Sequence, residues 1–160
     1  MSIVPAQDLA KCHGPLSRLT LEYSYIMKGL VEQAKQPSFK PEDWAPLAAL
    51  VAVDEFVRVG NFREQVRWEQ YDDLLTMWGR STVWNFTVQR VTEGEGYAIL
   101  ELEERAGYPD RDETYSSVSV YEFNADNKLR HLSIYLSMAA PESSAMSHQW
   151  DLKEVSAEII

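Results

Sequence analysis

Four long runs of alternating residues, set apart by short polar turns, constrain this fold more than any other feature. Residues 83–91 close on Glu93-Gly94-Glu95-Gly96, and 97–105 on Gly107-Tyr108-Pro109-Asp110. Residues 115–123 close on Asn124-Ala125-Asp126-Asn127, and 129–138 on Ala139-Ala140-Pro141. Strands joined by turns this short pair with their sequence neighbours, because a parallel return needs a crossover of a dozen or more residues. An antiparallel meander is expected. Each strand carries apolar residues at alternate positions, so one face must be covered.

The cover lies earlier in the chain. Residues 1–14 read as a lead-in ending at Gly14-Pro15, and proline suits the first turn of a helix. Leu16, Leu19, Tyr23, Ile26 and Leu30 then mark one face of a long amphipathic helix, with Tyr25 off that face. Pro41-Glu42-Asp43 starts a short second helix presenting Trp44, Leu47, Leu50 and Val51, its acids facing the positive end of the helix dipole. Residues 55–60 are β-rich, Gly60-Asn61 is a turn, and 62–68 are a returning strand or a bend. Trp68, Tyr71, Leu74, Leu75 and Trp78 mark a third helix with Gly79 as its C-cap. Leu152, Val155 and Ile159 suggest a terminal helix within 148–160. The expected fold is α+β: three N-terminal helices on a curved, mainly antiparallel sheet, in a domain over 15–140 with a C-terminal extension over 141–160. A sheet curled around the long first helix leaves a pocket between them.

Charge narrows the partners. Among 160 residues, 15 Lys and Arg stand against 25 Asp and Glu, a net charge of −10. That balance argues against nucleic acid and anionic membranes as partners, since both need clustered cations. One cysteine, Cys12, allows neither an internal disulfide nor a multi-cysteine zinc site. His13, His131 and His148 have no ligand spacing, so no metal is expected. No nucleotide-binding or nucleophile-elbow motif occurs, and no cofactor is expected. No segment approaches a membrane span, and the start of the chain lacks a basic region followed by an apolar run, which points to the cytoplasm.

Local sequence adds a family signal. Leu47-Ala48-Ala49-Leu50-Val51-Ala52-Val53-Asp54 precedes the first strand, and Val120-Tyr121-Glu122-Phe123 is followed after a polar turn by Lys128-Leu129-Arg130-His131-Leu132. Over residues 16–138 the chain resembles the nuclear transport factor 2-like superfamily, often labelled SnoaL-like. The resemblance implies a cone-shaped α+β barrel, an apolar cavity between sheet and long helix, and a homodimer formed through the outer sheet face. It implies a small apolar ligand of the polyketide, steroid or terpenoid kind, and no particular reaction, because the fold hosts many. The general-base Asp of ketosteroid isomerases matches Val59, their second Asp matches Ser119, and their oxyanion-hole Tyr matches Tyr23 or Tyr25. The Asp–Arg–Asp set of limonene epoxide hydrolases matches Ile134, Leu102 and Glu104, with Val57 and Val59 at the supporting positions. Only Glu104 stays acidic, so that mechanism is excluded.

Strand parity places the remaining candidates. Leu132, Ile134, Leu136 and Met138 should face inward and His131 outward. Ala98, Leu100, Leu102 and Glu104 share the inward face of their strand. Glu104 is then either an acid in apolar surroundings, able to act near neutrality, or a solvated strand end paired with Arg105 or Arg111. Tyr115, Ser117, Ser119, Tyr121 and Phe123 form either a pocket wall of hydroxyls or an outer dimer surface. Val57 and Val59 are expected to face the pocket, turning Arg58 outward toward Glu64. The tryptophans read as core, with Trp68 and Trp84 closest to a ligand. The expected site comprises Tyr23 or Tyr25 as donor and Glu104 as base. Val57, Val59, Trp68, Trp84, Leu102, Ser117, Ser119, Tyr121, Ile134 and Leu136 are the expected ligand contacts. Two functions fit: an isomerase, cyclase or lyase acting without metal, or a non-catalytic dimeric scaffold.

Overall fold

A computed structural model describes residues 2–137. The helices are α1 (Ala6–Leu9), α2 (Pro15–Gln33), α3 (Ala45–Ala48) and α4 (Trp68–Ser81), with a 3-10 turn at Pro41–Trp44 leading into α3. The strands are β1 (Val57–Val59), β2 (Gln65–Val66), β3 (Val83–Gly94), β4 (Tyr97–Gly107), β5 (Asp112–Phe123) and β6 (Leu129–Ser137). They form one sheet in the order β2-β1-β6-β5-β4-β3, antiparallel throughout except where β1 runs parallel to β6. The expected α+β layout and the long meander are both present. The terminal helix over 148–160, Met138, His148 and Trp150 lie outside the described residues.

Several local expectations change. The lead-in carries α1 and is anchored: Val4 and Asp8 are buried. Asp8 accepts a hydrogen bond from the Tyr25 hydroxyl and an ion pair from Lys11 Nζ at 2.9 Å. Lys11 Nζ also donates to the Val88 carbonyl at 2.7 Å, tying this segment to the sheet. The second helix opens as a 3-10 turn, yet its apolar face works as read, with Trp44 and Leu47 fully buried. Trp44 Nε1 donates to Thr76 Oγ1 at 2.8 Å, which joins that turn to α4.

Gly79 is not a C-cap, because α4 continues to Ser81. It is a close-packing site instead. A Cβ there would stand 2.9 Å from the Ala34 Cβ, so α4 lies closer to the end of α2 than any larger residue permits.

The start of α2 is closed from the sheet. Glu93, near the end of β3, accepts the Ser17 amide at 2.7 Å. Its carboxylate occupies the space a Cβ on Gly14 would need, at 2.7 Å. A negative charge at a helix N-terminus meets unpaired amides and the positive end of the dipole. Partial burial pushes the Glu93 carboxyl up, but hydrogen bonds from the Ser17 and Leu16 amides outweigh it and hold the group below its ordinary 4.5.

A carboxylate lowered by folding stabilises the fold above its unfolded titration range, and that contribution disappears as pH falls through the folded value. E93Q should therefore cost about 1 kcal/mol at neutral pH. The gap to the parent protein should narrow below pH 4.5. Urea melts across the acid range check this; a gap independent of pH would refute it.

Candidate functional site

A cavity of about 360 Å³ lies between the inner sheet face and helices α2 and α4. Register dictates which sheet residues reach it. Residues paired across antiparallel strands share a face, so Leu102 opposite Ser117, Glu104 opposite Tyr115, and Ser119 opposite Ile134 all project the same way. From this face Leu102, Glu104, Tyr115, Ser119, Tyr121, Leu132, Ile134 and Leu136 line the cavity. The hydroxyl-bearing face of β5 is thus a pocket wall. Ser117 is buried on that face, its hydroxyl beside the Glu104 carboxyl.

Glu104 is a cavity acid. It is 9% exposed, and its Oε1 accepts the Trp84 indole N–H at 2.8 Å. The solvated ion-pair reading fails because both arginines are engaged elsewhere. Arg105 pairs with Glu103 at 2.8 Å, and Arg111 pairs with Asp110 and Glu113. Burial pushes the Glu104 carboxyl above its usual range, and the neighbouring Ser117 hydroxyl and Trp84 N–H offset only part of that.

Across the cavity stands a tyrosine cluster. Tyr23 donates to the Tyr71 hydroxyl at 3.3 Å, and its ring meets Tyr121 edge-on at 5.6 Å. Burial holds all three phenols well protonated, the neighbouring tyrosines adding to it at Tyr23 and Tyr121. Because Tyr23 spends its proton on Tyr71, the Tyr71 hydroxyl is the one free to donate onward. Trp78, Leu74 and Tyr108 continue the lining toward solvent.

Five expected site residues do not line the cavity: Ser117, buried on the same sheet face, and four that lie elsewhere. Tyr25 sits two positions from Tyr23 on α2 and turns away from the cavity, its ring against Phe86 and its hydroxyl on Asp8. Trp68 packs on Phe56 and Tyr71 at 5.8 and 6.0 Å, outside the cavity wall. Val57 and Val59 face away, and Arg58 faces in, the reverse of the expected parity. The cause is β6. Arg58 pairs with Leu132, which lines the cavity, while Val57 and Val59 pair with His131 and Ser133 on the opposite face. A three-residue strand is too short to show its own period, so its longer partner decides.

Arg58 and Tyr71 are the main residues that sequence reasoning missed. Tyr71 was legible as part of the apolar face of α4, but nothing in the sequence set it against Tyr23. No group of three or more His, Cys, Asp or Glu among the described residues is placed to hold a metal ion.

No family model matches the chain, and no curated protein matches it. Solved structures do. A SnoaL-like protein from Shewanella putrefaciens aligns at 12% identity and a TM-score of 0.62, covering 82% of this chain and 85% of the other. An NTF2-like protein of unknown function from Cytophaga hutchinsonii aligns at 12% identity and a TM-score of 0.53, over 79% and 94% of the two chains. An LEH-like epoxide hydrolase of M. tuberculosis aligns at 13% identity and a TM-score of 0.52, over 69% and 83%. The chain therefore has the nuclear transport factor 2-like, SnoaL-like fold, and these identities speak to the fold alone.

The Trp84 N–H favours the charged form of Glu104, so removing it should raise the carboxyl further. In W84F the Glu104 titration, followed by carboxyl ¹³C NMR, is expected to move up from the parent midpoint. An unchanged or lower midpoint would show that the indole does not hold the acid.

Proposed function

We propose that this domain binds a small, largely apolar molecule of the polyketide, steroid or terpenoid class and catalyses acid–base isomerisation, cyclisation or dehydration. One observation carries the reading: a buried carboxyl with a raised pKa shares a mostly apolar cavity with protonated phenols. A base whose pKa lies nearer neutrality abstracts a proton more readily from a carbon beside a carbonyl. The phenols stabilise the oxyanion that develops on the carbonyl oxygen, with Tyr71 as the donor and Tyr23 behind it. Glu104 then gives the proton back in one of three ways: to a second carbon (isomerisation), to the oxygen of a second carbonyl as the enolate carbon bonds to it (cyclisation), or to a β-hydroxyl that leaves as water (dehydration), and none of these needs an oxidant or reductant.

Structural neighbours described as an LEH-like epoxide hydrolase and a SnoaL-like polyketide cyclase are consistent with small-molecule chemistry in such a cavity. The epoxide-hydrolase route is not proposed, since Ile134 and Leu102 occupy two of its three charged positions. A cone filled by side chains would have favoured a scaffold role, and the open cavity supports the ligand-binding reading instead. Thermal-shift screening against planar polycyclic ketones is the first test, and no stabilisation by any of them would reject the proposal. With a substrate in hand, E104Q should lower turnover by about 10²-fold or more while binding persists. The parent rate should rise with pH through a midpoint above 4.5, the ordinary carboxyl value. Full activity in E104Q would remove the acid–base assignment.

A homodimer through the outer sheet face is also proposed. Val118 and Tyr135 lie directly opposite each other on that face and are exposed at 39% and 59%. Adjacent apolar and tyrosyl side chains suit an interface core. Solution mass measurement is expected to give two chains at micromolar concentration, and a monomer there would sink the claim.

A further inference from the structure

The cavity has a second charged wall that the proton-transfer reading leaves unused. Arg58 projects into it from β1, opposite the inward Leu132 of β6. Among the described lining residues it is the one cation, as Glu104 is the one carboxylate. Its guanidinium carbon stands 5.4 Å from the centre of the Tyr71 ring, a cation–π contact that holds the plane of the group in place. One terminal nitrogen, Nη1, reaches Glu64 Oε1 at a long 3.4 Å. The Nε–H is buried and has no hydrogen-bond partner among the described residues. A buried donor left unpaired is costly, so native structures seldom keep one without a ligand or water to accept from it. Guanidinium also offers donors in a fixed fork that matches two oxygens of a carboxylate or similar oxyanion.

We infer that the ligand is an apolar molecule carrying a carboxylate or comparable oxyanion, and that Arg58 binds this anionic head. The inference rests on the cavity reading above and narrows its ligand class. The head is held by the guanidinium at the Tyr71 end, and the skeleton lies along Leu102, Ile134 and Trp84. The reactive carbon is thereby presented to Glu104. No charge on Glu104 competes for the head, because Arg58 and Glu104 are not paired with each other. Glu64 takes Nη1 and the Tyr71 hydroxyl is the other polar group beside the guanidinium, while Nε keeps no acceptor among the described residues.

The test compares two probes of one shape and different charge, 2-naphthoate and 2-naphthamide, by fluorescence titration and thermal shift at neutral pH. The parent protein should bind naphthoate at least about tenfold tighter than naphthamide, the gain from a charge-assisted contact. R58Q should erase that preference while keeping naphthamide binding, and R58K should keep part of it. Equal affinity for both probes in the parent protein overturns the anion assignment and leaves the apolar cavity standing. A preference that survives in R58Q also overturns it, because another group then reads the charge. Failure of both probes to bind rejects the ligand-binding reading itself, and this inference with it. The parent comparison decides even if the variants fold poorly.

Discussion

Side chains in a β-sheet alternate, and backbone pairing forces neighbouring strands to alternate in step. This shared parity supports everything else in the molecule. Because β4 pairs with both β3 and β5 along almost its whole length, Glu104 cannot change face without Leu102, Leu100 and Ala98 changing too. Those three are buried among aliphatic and aromatic residues, and exposing them would cost several kcal/mol of apolar burial. The core therefore holds a carboxylate inside the cavity, where it would not go by its own preference. The same coupling carries Arg58 inward. Its small strand borrows the parity of β6, and Leu132 occupies the core face.

A cavity built this way separates charge sharply. The chain carries 25 acids against 15 bases, yet one acid and one base line the cavity among the described residues. Among the described residues, the acids other than Asp8 and Glu104 are partly or fully exposed. Inside, the two are not paired with each other, and each has an aromatic neighbour, Trp84 for Glu104 and Tyr71 for Arg58, whose outer nitrogen pairs with Glu64. The helices that close the cavity are themselves anchored from the sheet. Glu93 satisfies the start of α2, Lys11 bonds Val88, and the absent side chain of Gly79 lets α4 close on α2.

Long elements announced themselves in the sequence, and short ones did not. The four meander strands and α2 each span several periods, so alternation or helical recurrence is unmistakable, and their inward residues could be named. Leu102, Glu104, Ile134 and Leu136 reach the cavity on the faces their apolar neighbours marked as inward, whereas the face of β5 that carries Ser119 and Tyr121 was open between pocket and outer surface until its pairing was seen. β1 has only three residues, and with no period to read, the apolar valines were the natural choice to face inward. That reasoning reversed Arg58. Tyr25 and Trp68 failed for a related reason: an aromatic side chain near a cavity has many apolar surfaces to choose from, and Asp8 and Phe56 captured them.

By itself the sequence determined the α+β class, the strand parity of the meander and the acid among its inward residues. These follow from local periodicity and the need to bury one face of each element. Only the tertiary structure decided that Glu104 is free of arginine, that Tyr23 and Tyr71 share a proton donor chain, and that Arg58 enters the cavity. Each depends on which strands and helices meet across long separations in the chain, and no local pattern encodes that choice of neighbour.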